Sequence, residues 1–510
     1  MRNRSWLLAA VAASVPLGTA IAQQTQAPTT DQVNALLKRL DDQEQRIKVL
    51  EQKLQQQSAT SIPAPTPGPG PVDSAGNGAV TPAPQPDFSQ PPPPPSNLTS
   101  GTKVNASPAG YSISSADGAN VVRLRGNVAF DGRWYSDGTT PDSQDTWLFR
   151  KVRPYLEGTL DNIYDFRLMP DFAGGKSILV DAYAAARYAE WFVVQAGKFK
   201  APVGLERLQP DQYDRFIELG LPSSLVPNRD LGIQVGGDVL QGAIGYAFGL
   251  FDGVTDGTST DSNPTPDTST TGKKDWEGRV FFQPFVGADS PYLRGLGFGV
   301  SGTYVNFIGS PTSTFLPSYK TPGQQSLFGY RAATSAAPGS ATYADGQRSR
   351  WSPQAYYYAG SFGLLAEYVE SSQGVARQVS SKELRTGRVD NSSWQVQAAY
   401  FLTGEREAYN SLTPLSRFQP GSGGFGAWEL VTRYQQLHIG ADAFAGGLAS
   451  FADPAAVASV ARDLGVGLNW YLNQNLRWMF DFDRTQFVGG ASSGNRPDEK
   501  ALLLQIQMTF

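Results

Sequence analysis

The last ten residues, ALLLQIQMTF (501–510), constrain the fold more than any other stretch. Leu502, Leu504, Ile506, Met508 and Phe510 share one parity, and Ala501, Leu503, Gln505, Gln507 and Thr509 share the other. A strand sends successive side chains to opposite faces, so this segment has one oily face and one partly polar face. An amphipathic strand closing on an aromatic residue is the expected end of a transmembrane β-barrel of the bacterial outer membrane. Lipid meets the oily face there and a water-filled lumen meets the other.

The same period recurs upstream. Val122, Leu124, Val128, Phe130 and Trp134 oppose Arg123, Arg125, Asn127, Asp131 and Arg133. Leu156 and Leu160 oppose Arg153 and Glu157, and Phe166 and Leu168 oppose Asp165 and Arg167. Near the end, Val466, Leu468 and Trp470 oppose Asn469, while Trp478, Phe480 and Phe482 oppose Arg477, Asp481 and Asp483. Counting such segments predicts an all-β chain over residues 108–510: a transmembrane antiparallel β-barrel of about 16 strands, an even number as bacterial single-chain barrels require. Short turns such as Asp161-Asn162 and Asn473-Gln474 suit the periplasmic side. Long polar stretches suit the outside: Asp252 to Lys274, Ile308 to Arg350, Gln373 to Asp390 and Thr403 to Gly424.

Three segments precede the barrel. Residues 1–22 read as a signal peptide, with Arg2 and Arg4, an apolar stretch from Trp6 to Ala13, and Ala20-Ile21-Ala22 as the cleavage site. Residues 29–57 read as a coiled-coil helix. Val33, Leu36, Leu40, Gln43, Ile47, Leu50 and Leu54 occupy its a and d positions, a strip suited to a homotrimer in the periplasm. Residues 58–107 form a proline-rich linker, extended at ~3.1 Å per residue where proline dominates.

Composition narrows the function. Mean hydropathy is −0.31, as a barrel in lipid allows, because only alternate residues need be apolar. A formal net charge of −4 indicates no nucleic-acid partner. There is no cysteine, and His438 is the single histidine, so a Ser-His catalytic set or a zinc site has little to work with. Gly490 to Gly494 matches G-x-S-x-G but falls in a turn before the final strand, not between a strand and a helix. We expect no enzyme, no cofactor and no metal.

Six stretches carry a family resemblance: FRKVRPYLEG (149–158), VVQAGKFKAPVGLERL (193–208), VPNRDLGIQVGG (226–237), YFLTGE (400–405), FGAWELVTRY (425–434) and LNWYLNQNLRWMFDFDRT (468–485). With their spacing, they make most of residues 120–510 resemble the phosphate-selective porin O and P family. The resemblance implies a trimeric sixteen-stranded outer-membrane channel, lined by Arg and narrowed by inward-folded loops bearing Lys, that passes phosphate or polyphosphate passively. It implies a constriction role for Lys198, Lys200 and Arg229. It does not extend to the coiled coil or linker.

From the residues themselves, Arg123, Arg125, Arg133, Arg153, Arg167 and Arg187 fall on the polar parity of four successive strands and are the candidate anion-binding pore lining. The guanidinium fork can grip an oxyanion at two points, and rings of Arg or Lys are the expected device of an anion pore. The competing reading is wall pairing: Asp131, Glu157, Asp165, Asp171 and Asp181 share that face. From Asn105 onward 39 acidic side chains outnumber 34 basic ones. The sequence also leaves room for a general porin without phosphate preference. A further alternative is an envelope tether, its coiled coil and linker binding peptidoglycan or a periplasmic partner and its barrel serving as an anchor in the lipid. Between Gly204 and Asp230 strand alternation lapses, and Asp211 to Leu219 is predicted to form a short helix.

Overall fold

The computed structural model describes residues 101–510 apart from 108–109, 137–143, 263–265, 269–271, 335–336, 338 and 381. The predicted signal peptide, the coiled coil and the linker as far as residue 100 lie outside the described residues. The last part of the predicted linker, Lys103–Ser107, is a strand rather than a linker. It pairs with Gly110–Ser114, and that hairpin lies along the start of the first barrel strand.

Sixteen strands form the barrel. The first eight are β1 (Val121–Tyr135), β2 (Thr146–Leu160), β3 (Tyr164–Asp171), β4 (Ile178–Ala189), β5 (Phe192–Lys200), β6 (Arg229–Val239), β7 (Ile244–Phe251) and β8 (Asp275–Phe282). The rest are β9 (Leu296–Ile308), β10 (Thr342–Ala359), β11 (Phe362–Ser380), β12 (Glu383–Phe401), β13 (Ala427–His438), β14 (Ala458–Tyr471), β15 (Leu476–Ala491) and β16 (Glu499–Thr509). Each pairs antiparallel with the next. β16 closes on β1, from Ala501 opposite Tyr135 to Thr509 opposite Asn127. Closure gives every strand two neighbours, the condition for exposing sheet to lipid without orphaned backbone groups. Phe510 completes the seam: Gly126 N–H donates to its carbonyl at 2.8 Å and its own N–H donates to Gly126 O at 3.1 Å.

Side-chain parity follows the predicted alternation. In β16, Leu502 is 50% exposed on the outer surface and Leu503 is 1% exposed inside. Leu124, Leu430, Phe480 and Phe482 are exposed outward, whereas Asp131, Glu429, Arg433 and Asp481 are buried inward. A continuous apolar exterior around a polar interior suits lipid, not water. Trp428, Trp470 and Trp478 line up on β13, β14 and β15, with the first two stacked at 5.0 Å. Trp134 and Trp147 meet edge to face at 5.0 Å near the opposite end. Two aromatic clusters at the two rims match the girdles such barrels place at the interfaces.

The end that holds both barrel termini carries short turns, such as that at Asp161 and Asn162, whose φ values of 52° and 58° fit a tight hairpin turn. The opposite end, the loop end, carries residues 201–228, 252–274, 309–341 and 439–457. Two predicted outer loops are corrected. Gln373 to Asp390 is mostly strand: β11 and β12 stay paired up to Ser380 and Glu383. Thr386 and Arg388 on this tall hairpin are exposed and polar, so the apolar alternation that marks a lipid-facing strand is lost. Thr403 to Gly424 lies at the terminal end, between the finish of β12 and the start of β13. Its length suggested the wrong side.

Residues 201–228 fold into the lumen as an inner loop. Its helical turns are Leu205–Leu208 and Leu221–Ser224, not the predicted Asp211 to Leu219. The intervening backbone finds wall side chains instead of helical partners: Ile217 N–H donates to Asp481 at 2.7 Å, and Asn469 donates to Arg215 O at 2.9 Å. Leu221, Leu225 and Val226 then pack with Tyr319, Leu327 and Phe328 of loop 309–341 against Val369, Val389 and Leu437 of the wall. This apolar plug fills the mouth beside β11–β15 and leaves the lumen open along β1–β6.

Candidate functional site

Along that open side, β1–β6 and the inner loop enclose a cavity of about 480 Å³. Its walls carry five cations, Arg125, Arg153, Arg167, Lys200 and Arg229, against three carboxylates, Glu157, Asp181 and Asp211. The arrangement follows from pleat and register. Arg153, Tyr155 and Glu157 share the inward parity of β2, and Glu157 sits directly opposite Arg167 of β3 and Arg123 of β1. Lys200, the last residue of β5, is directly opposite Arg229, the first of β6.

Each carboxylate is shared by more than one cation. Glu157 lies 2.9 Å from the Arg125 guanidinium and accepts from Arg167 at 2.6 Å. Asp181 lies 3.3 Å from Arg229 and 3.8 Å from Arg167. Asp211 faces Lys200 at 3.1 Å, Lys151 at 3.5 Å, Arg229 at 3.9 Å and the Arg153 guanidinium. Burial pushes the Asp211 carboxyl up, but Lys151, Lys200, Arg153 and Arg229 outweigh that and hold it well below the usual carboxylate range. On the cavity wall itself cations outnumber carboxylates five to three, and Asp171 behind the wall takes a share of Arg153 at 2.6 Å. Tyr155 adds an aromatic face beneath Arg167, 5.5 Å from ring centre to guanidinium.

Two further spaces adjoin the cavity. Toward the loop end, a space of about 440 Å³ shares Arg153 and Arg229 with it and reaches Gly174, Thr258 and Ser262. Toward the terminal end, a space of about 240 Å³ shares Arg125, Tyr155, Gln212 and Tyr213 and reaches Arg477 and Asn473 to Asn475. Cationic side chains thus line all three neighbouring spaces: Arg150, Arg153 and Arg229 toward the loop end, Arg125 and Arg477 toward the terminal end, and the five named above between them.

The predicted lining residues divide. Arg125, Arg153 and Arg167 line the cavity. Arg133 is buried and bound to Asp131 at 3.2 Å and Glu218 at 2.7 Å, which fastens the inner loop to the wall. Arg187 is exposed near the terminal rim and pairs with Asp165. Arg123 lies just beyond Arg125 on the same parity, outside the cavity walls. Of the predicted constriction residues, Lys200 and Arg229 face the cavity. Lys198 does not: it is 1% exposed, and its ammonium is held by Asp261 at 3.0 Å and Asp267 at 2.7 Å, both from loop 252–274.

Sequence reasoning missed Asp211, Lys151, Tyr183 and Arg150. Lys151 shares the parity of Arg153 and was legible on that ground. Arg150 was not: a bulge opposite Ala129 and Phe130 leaves it out of register, and it reaches Glu218 at 3.0 Å. Asp211 sits in a loop where no period applies.

A family model described as phosphate-selective porin O and P matches residues 122–510. No curated protein matches this chain. Among solved structures, the chain is similar to the outer membrane channel DcaP of Acinetobacter baumannii, with 12% identity, 79% of this chain and 100% of that one covered, and a TM-score of 0.47. It is similar to outer-membrane expressed OmpT of Vibrio cholerae, with 10% identity, coverage of 77% and 98%, and a TM-score of 0.47. It is similar also to OprB of Pseudomonas putida, with 11% identity, coverage of 77% and 95%, and a TM-score of 0.47.

Proposed function

We propose a passive anion channel on one premise: the chain belongs to the phosphate-selective porin O and P family. It is an outer-membrane porin, and the finer reading concerns what it passes. The observation that carries the reading is the local charge excess. A barrel segment with more acidic than basic side chains nonetheless gathers five cations against three carboxylates around the cavity in its open side. Charge placed where water is scarce is felt more strongly than the same charge on a surface. Phosphate fits the donor set: Arg125, Arg153, Arg167 and Arg229 each offer a planar fork matched to two oxygens, and Lys200 a compact charge. Pairing to shared carboxylates keeps each contact weak enough for the ion to leave, which conduction requires.

The same proposal places the terminal end in the periplasm, since short turns belong on that side. The coiled coil at 29–57 and the linker then lie in the periplasm, where the helix supports a homotrimer. Reversal potential across a KCl gradient, with the full-length protein in a planar bilayer, tests the selectivity. The expected sign is that of chloride, with inorganic phosphate blocking the chloride current. A cation-selective channel would remove the phosphate reading and leave a general porin; no conductance at all would favour the envelope tether.

A further inference from the structure

Asp211 lines the cavity among its cations. Lys200 Nζ is 3.1 Å from one of its oxygens, Lys151 Nζ 3.5 Å and Arg229 Nη2 3.9 Å, and Arg153 donates to it. Four cations converge on this one carboxylate. Arg153 shares itself with Asp171 at 2.6 Å, Arg229 with Asp181, and Lys151 with Asp214 at 3.8 Å, so four carboxylates balance four cations and displacement of Asp211 leaves one positive charge for an arriving anion. The other two carboxylates of the cavity, Glu157 and Asp181, belong to strands fixed in the barrel ladder. Asp211 alone among the cavity's three lies on loop backbone outside any strand or helix.

We infer that Asp211 is a tethered competitor: its carboxylate occupies the oxyanion site formed by Lys151, Arg153, Lys200 and Arg229, and a passing phosphate displaces or shares it. The inference rests on the anion-channel reading. Without a resident carboxylate, four converging cations would hold phosphate too tightly for throughput, since a pore needs binding that is weak enough to release. With it, each arriving oxyanion meets a like charge, and each departing one leaves cations that are paired again at once. A charge-neutral residue at this position would turn a relay into a trap.

The test uses full-length protein in planar bilayers, with chloride current titrated by inorganic phosphate. In Asp211→Asn, the phosphate concentration for half-block should fall about ten-fold, because removing one like charge beside a bound anion is an effect of that order. Asp211→Glu should stay near wild type. Asp211→Ser gives the same readout should the amide variant not fold. If wild type is blocked by phosphate but the half-blocking concentration is unchanged or raised in the neutral variants, Asp211 only positions the loop and the inference is wrong. If wild type itself is cation-selective or insensitive to phosphate, the channel reading fails and takes the inference with it.

Discussion

Arg215, on the inner loop, donates to Glu407 at 2.5 Å, and Glu407 belongs to the loop that enters from the opposite end of the barrel. Residues 201–228 come from the loop end and residues 402–426 from the terminal end, and they meet inside the lumen. Arg215 also reaches Glu429 on β13 at 2.8 Å, and Tyr409 O–H donates to Leu205 O at 2.6 Å. The contact ties both loops and one wall strand together beside the open path.

Replacing Arg215 with Ala should destabilise the fold by about 3–5 kcal/mol above about pH 8, where Glu407 and Glu429 are both buried charges that lose their counter-charge. Denaturant unfolding in detergent measures it. Adding Glu407→Gln should recover part of the loss, since one of the two stranded charges goes. An Arg215→Ala protein as stable as wild type would show that the two loops are held by their other contacts.

The same contact should respond to pH. Burial pushes the Glu407 carboxyl up, Arg215 opposes that, and Glu429 adds to it, with the outcome at about 8 against an ordinary 4.5. A carboxyl raised in the folded state binds its proton more tightly there than when unfolded. Its stabilising share is therefore whole below the ordinary value and is lost as pH rises toward the raised one. Loop docking should weaken between about pH 4.5 and about pH 8, seen as growing current noise in single channels. Glu407→Gln should flatten that dependence; a profile unchanged by the substitution would assign it to another group.

What the sequence made legible was set by which physical rule governed each residue. Strands in lipid obey a strict two-residue period, so Leu502 against Leu503 and Phe480 against Asp481 could be sorted by their spacing alone. Where lipid ends, the rule lapses: the polar top of β11–β12 read as a loop. Loop sides cannot be inferred from length, so Thr403 to Gly424 was placed at the wrong end. Arg125, Arg153 and Arg167 were legible through parity, and Lys200 and Arg229 through family resemblance. Lys198 shares the parity of Lys200, yet only the three-dimensional path of loop 252–274 shows that Asp261 and Asp267 claim it. Asp211 depends on how a loop without periodicity crosses the lumen.

The parity assignment has its own test. Phe480→Arg puts a guanidinium on the lipid face and should cost ~2–4 kcal/mol if the site is near the bilayer midplane. The chain has no native cysteine, so introduced ones report cleanly. Cysteine at Arg125 or Arg167 should react with a water-soluble thiol reagent, and cysteine at Leu124 or Leu168 should not. Equal labelling on both parities would contradict the inward and outward faces of β1 and β3.

The N-terminal segment should associate without lipid. A peptide of residues 29–57 is expected to form a weak parallel trimer, since most helical stability comes from packing an apolar face rather than from propensity. Leu40→Asp with Ile47→Asp should abolish helicity and association, read by circular dichroism and sedimentation. A wild-type peptide that stays monomeric at high concentration would leave trimer formation to the barrel wall.

Lys198 and Lys200 separate a cation that serves the fold from one that serves the path. They are two residues apart on β5, and charge alone does not distinguish them. Lys200 faces the cavity beside Arg229, where the effective dielectric is low and an extra negative charge acts directly on a passing ion. Lys200→Glu should therefore move the zero-current potential in a KCl gradient toward cations and weaken phosphate block. Lys198 is sealed between Asp261 and Asp267, so Lys198→Gln leaves two carboxylates short of a partner. That variant should lose stability, read as a lower denaturation midpoint, and keep the sign of its selectivity. The reverse result, selectivity governed by Lys198 and indifferent to Lys200, would move the narrow point of the channel away from the Arg153–Arg229 cavity and under loop 252–274.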